Sequence, residues 1–91
     1  MRKLYITNND INYRLGQNIA RLRVENGYSQ EAFAIECNIS RAYYGRCELG
    51  LHSLTVDKLN LIANLLGVNI SSLFMSNEGI FIWAFTTFKK I

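Results

Sequence analysis

The chain has 91 residues, enough for one domain, and 49% of them are hydrophobic, which excludes a disordered polypeptide. Its net charge is +3, a mild excess that suits an acidic partner such as nucleic acid without requiring one. Two cysteines, Cys37 and Cys47, are too few for a disulfide framework and lack C-x-x-C spacing, so they read as buried thiols in a reducing compartment.

The N-terminal stretch "MRKLYITNND" has no apolar segment of signal-peptide length, so a cytoplasmic location is expected. Ile11, Leu15, Ile19 and Leu22 recur at helical spacing and predict a first helix over residues 11–26. Asp10 is its expected N-cap and Gly27 its stop. Ser29 caps a second helix, with Phe33, Ala34 and Cys37 on its apolar face and Glu31 near the positive end of its dipole. Asn38 tolerates the left-handed conformation that would end it. Ser40 caps a third helix over residues 41–48, which stops before Gly50. Two short helices joined by so few residues cross steeply, and this is helix-turn-helix geometry.

Thr55 opens a fourth helix in which Val56, Leu59, Ile62, Ala63 and Leu66 pack and Gly67 ends the run. A short fifth helix follows, with Asn69 as cap and Leu73 and Phe74 as anchors. Beyond "MSNEG" the pattern changes. Residues 80–88 are β-branched and aromatic without helical periodicity, which predicts a strand, and residues 3–7 are a second candidate. The apolar run is far short of the roughly 20 residues that span a bilayer. An exposed apolar strand needs a partner, either the N-terminal strand or its own copy in a second subunit.

No nucleophile, base and orienter occur together, and phosphate-loop and dinucleotide motifs are absent, so an enzyme is not expected. No metal or other cofactor is expected either.

The segments "SQEAFA", "NIS", "ELG", "LNLIANLLGV" and "SSLF", spaced correctly over five helices, resemble the DNA-binding domain of phage repressors and Cro, the XRE-type regulators. Within that family "SRAYYGRCE" looks most like the restriction-modification controller proteins. The resemblance implies an all-α, five-helix domain at residues 11–75, with an N-terminal arm at 1–10 and an apolar tail at 76–91. It also implies a homodimer on double-stranded DNA, at a palindromic operator.

The same resemblance assigns roles. Arg41 and Ala42 open the recognition helix. Arg41 is placed to donate two bonds to guanine, Ala42 can meet only a thymine methyl, and Arg46 follows one turn on. Tyr43 would lie along the sugar or bond a phosphate, while Tyr44 and Cys47 match core positions. Gln30 matches a phosphate-binding glutamine that braces the recognition helix. Ser29 and Ser40 cap helices whose N-termini offer N–H groups to phosphates. Arg23 and Glu48 match a structural pair tying the first helix to the third. His52 reads as exposed surface. The loop "LGLHSL" after the third helix is less basic than the family pattern, which removes phosphate contacts and makes dimerisation more important. Ile80, Ile82, Trp83, Phe85 and Phe88 of the tail are the expected dimerisation residues. The alternative is an antitoxin whose tail engages a toxin.

Overall fold

A computed structural model describes residues 8–75. It contains four α-helices, α1 (Asn8–Glu25), α2 (Gln30–Cys37), α3 (Arg41–Glu48) and α4 (Val56–Leu66), and a closing 3-10 turn at Ile70–Phe74. The strands expected at 3–7 and 80–88 lie outside the described residues. Among those residues, no helix is long and apolar enough to cross a membrane.

Local chemistry sets most of the boundaries. Ser29, Ser40 and Thr55 each accept the N–H of the residue three positions on, satisfying one donor that the first turn leaves open. Asn38 ends α2 at φ 60°, and Gly67 ends α4 at φ 71°. The Lys58 ammonium donates to the Cys37 and Asn38 carbonyls at 2.8 and 3.4 Å, setting a positive charge on the negative end of α2.

Two expectations need correction. The first helix is already formed at Asn8, the first described residue, so Asp10 lies inside it rather than capping it. The fifth element is a five-residue 3-10 turn, and the Asn69 side chain makes no cap bond there. A segment so short cannot recover the cost of nucleating an α-helix and takes the tighter form.

The core gathers Leu15 and Ile19 of α1, Phe33 and Cys37 of α2, Tyr44 of α3, and Ile62 and Leu66 of α4. Leu73 closes it from the 3-10 turn. Phe33 stands edge-on to Tyr44 at 5.6 Å and tilted to Tyr28 at 4.9 Å, geometries that the ring quadrupoles favour. Cys37 and Cys47 are free and buried, and burial pushes the Cys37 thiol up to about 11. Both therefore behave as small apolar groups at neutral pH.

Candidate nucleic-acid interface

The turn between α2 and α3 is only Asn38, Ile39 and Ser40, and it brings α3 across α2. The residues of α3 then divide by face. Arg41, Ala42 and Arg46 are exposed, Tyr43 and Gly45 half-buried, and Tyr44, Cys47 and Glu48 buried. An exposed strip with two guanidiniums and almost no side-chain bulk between them lies on the outer side of the helix.

The inner side is held by a charged hub. The Glu48 carboxylate accepts Arg23 Nε at 2.6 Å, Gln30 Nε2 at 2.7 Å and Arg23 Nη2 at 3.3 Å. It also accepts the Tyr44 hydroxyl. Arg23 Nη1 donates onward to the Tyr28 carbonyl at 2.7 Å. One carboxylate therefore joins α1, the start of α2 and both ends of the inner face of α3. Burial by itself would raise the Glu48 pKa. The hydrogen bonds from Arg23, Tyr44 and Gln30 outweigh it and hold the carboxyl below its ordinary range. Burial, then the bond to Glu48, pushes the Tyr44 phenol upward, so it remains a donor. The Glu48 bond raises Arg23 further.

The structure ties down Gln30. One N–H goes to Glu48, which leaves its second N–H and its carbonyl oxygen for another partner. Tyr43 is also tied. Its hydroxyl donates to the Ser53 carbonyl at 2.7 Å, and its ring stacks on His52 at 5.0 Å. A phenol has one proton to give, so in this arrangement none is left for a phosphate. Tyr43 and His52 instead brace the loop after α3, which α1 also holds through Asn12 Nδ2 on Ser53 Oγ at 3.2 Å. The Ser29 and Ser40 hydroxyls are exposed, each accepting the third N–H of its helix at 3.0 Å.

Two positions that sequence reasoning missed, Gly16 and Asn18, hold this surface in place, and Gly50, read from sequence only as the stop after the third helix, does so as well. At Gly16 a Cβ would lie 2.4 and 2.5 Å from the carbonyl oxygens of Cys47 and Glu48, so α1 touches the backbone of α3 there. At Gly50 the backbone turns at φ 80°, and a Cβ would lie 2.7 Å from Tyr13 Cα. Asn18 is buried and donates to the carbonyls of Leu73 and Met75 at 2.8 and 2.6 Å, pinning the end of the domain to α1. Asn18 leaves a trace in the sequence as a polar residue between Leu15 and Leu22 on the apolar stripe of the first helix, and Gly50 as a helix stop, whereas Gly16 leaves none.

A helix-turn-helix family profile matches residues 19–73, more than half the chain. The chain belongs to the HTH_3 helix-turn-helix family. It is 37% identical over 71 residues to the control protein C.MunI of a Mycoplasma species, covering 77% of this chain and 96% of that protein. It is 33% identical over 61 residues to the control protein C.BamHI of Bacillus amyloliquefaciens, covering 66% and 75%. Its fold is similar to the restriction-modification controller protein C.AhdI of Aeromonas hydrophila, with TM-score 0.64 and 29% identity, covering 68% and 94%. This HTH_3 chain is thus an XRE-type DNA-binding regulator with restriction-modification controllers among its homologues, and its family is one of regulators rather than enzymes.

Proposed function

We propose that the protein binds a palindromic operator as a homodimer and regulates transcription, including that of its own gene. The outer strip of α3 carries the proposal. Arg41, Ala42 and Arg46 are exposed on a helix whose opposite face is locked by Glu48. A helix presented in this way enters the major groove with its first residues against the base edges. Arg41 supplies the bidentate donor that suits guanine, Ala42 gives room for a thymine methyl, and Arg46 contacts a further base or a phosphate. The helix N-termini at Ser29 and Ser40, with the free N–H of Gln30, receive phosphates on either side. Tyr43 positions the following loop and offers its ring to the sugar.

The relatives named above are control proteins, which supports a regulator over an antitoxin and points to restriction-modification genes as the regulated set. One subunit brings few phosphate contacts, so a second is needed for tight binding. Two-fold symmetry of the protein then dictates two-fold symmetry in the operator. Dimerisation coupled to binding makes occupancy steep in concentration, as an autoregulated gene requires. Ile80, Ile82, Trp83, Phe85 and Phe88, outside the described residues, are proposed to contribute to the dimer. Sedimentation of a chain cut after residue 79 tests this, with a monomer at micromolar concentration as the expected result and a stable dimer as the opposing one.

Arg41→Ala is expected to keep the fold and lose about 1–3 kcal/mol of discrimination at one base pair of each half-site. Footprinting on operator variants measures this, and an unchanged preference would remove Arg41 from the reading surface. If Arg46 meets a phosphate, Arg46→Ala instead weakens binding evenly across sequences and lowers the salt slope by about one.

A further inference from the structure

We propose that Gly45 sets which base pair Arg41 reads. This rests on the DNA-binding reading above and adds a specificity-determining residue that itself has no side chain.

The observation is one of shared space. A Cβ placed on Gly45 would lie 2.8 Å from Arg41 Nη1 and 4.0 Å from its Cζ. The guanidinium of Arg41 therefore fills the volume that any side chain at position 45 would occupy. This is against the usual lie of helical side chains, which lean towards the N-terminus of their helix. Arg41 runs the other way, one turn towards the C-terminus, and it can do so because nothing projects from position 45.

The charge is displaced accordingly. Residues 41 and 45 are separated by about 6 Å along the helix axis. Base pairs are stacked at about 3.4 Å. Carrying the guanidinium over Gly45 instead of beyond the first turn moves the donor on the order of one to two base-pair steps across the groove. Glycine is otherwise a poor residue for the middle of an eight-residue helix, being the worst helix former after proline. Its place is explained by what lies on top of it. Ala42 is exposed and small, and Gly45 is half-buried, so Arg41 and Arg46 are the long side chains exposed on this strip.

Gly45→Ala drives Arg41 off its seat and back towards the start of the helix. Alanine favours helix, and the atom it meets is the far end of a flexible side chain, so the fold is retained. The test is titration of the selected operator and its single-base variants with the wild-type chain, Gly45→Ala, Arg41→Ala and the double variant. The expected result is that Gly45→Ala still binds but loses roughly tenfold discrimination at the base pair that Arg41→Ala also loses. The double variant then matches Arg41→Ala alone. A Gly45→Ala protein with wild-type preferences, or an altered preference that persists when residue 41 is alanine, overturns the inference. A wild-type chain that discriminates among no sequences instead overturns the DNA-binding reading itself.

Discussion

Arg23→Ala is expected to cost about 3–5 kcal/mol, because it strands the Glu48 carboxylate without its cationic partner. The Arg23 and Glu48 side chains are only 12% and 7% exposed, so water cannot replace the lost bonds. A domain of this size has on the order of 5 kcal/mol to lose, so the variant stands near its unfolding midpoint. The melting temperature should fall on the order of 20 °C in a circular dichroism scan. The loss comes from orphaning a charge and does not measure the worth of the pair. Arg23→Met with Glu48→Leu and Tyr44→Phe, which removes charge and hydroxyl together, should recover much of it. The pH dependence follows from the same group. The Glu48 carboxyl is held below its ordinary value of 4.5. Its contribution is therefore complete above that value and is lost as pH falls through the lower folded value. Glu48→Gln should unfold with a flatter acid limb. An unchanged limb would mean that other carboxylates govern acid unfolding.

Gly16→Ala is expected to be nearly as damaging, about 3 kcal/mol, the upper end of what overpacking costs. The new methyl would fall 2.4 Å from the Cys47 carbonyl oxygen and 2.8 Å from the Glu48 carbonyl carbon. Neither atom is free to swing aside, since both belong to the backbone at the end of α3. The helices have to part, and the recognition helix moves with them. Operator affinity should therefore drop even where the variant remains folded. The contrast with Gly45→Ala is instructive. The same change gains the same helix propensity at both sites. At 45 it meets a flexible guanidinium, and at 16 it meets main chain. Thermal unfolding of the two variants side by side should move in opposite directions or differ by several kcal/mol, and equal melting temperatures would refute the close contact between α1 and α3.

Caps at Ser29, Ser40 and Thr55 and the left-handed stop at Asn38 were legible because each bond is made within a few residues. The core was legible from periodicity, and Tyr44 follows from resemblance to a family whose third helix buries that position. The helical state of Asp10 was not, since Asn8, Asn9 and Asp10 are three capping residues in a row and local chemistry does not choose among them. The 3-10 turn reads as a helix in the sequence because capping residue and apolar anchors look the same at either pitch. Gly16, Gly50 and the destination of the Tyr43 hydroxyl depend on contacts between distant segments, which no local pattern encodes. The resemblance supplied a role for Arg41. It is silent on the seat that Gly45 makes for Arg41, a relation between one side chain and the space left beside a glycine, which appears only when the helix is built.

In the function we propose, the exposed strip of α3 reads DNA as half of a symmetric pair. Selection of bound sites from a random double-stranded pool tests it most directly, using the full chain. The expected enriched sequence holds two inverted half-sites with centres about one helical turn, roughly 34–36 Å, apart. Enrichment of a single unpaired element, or of no sequence at all, would contradict it.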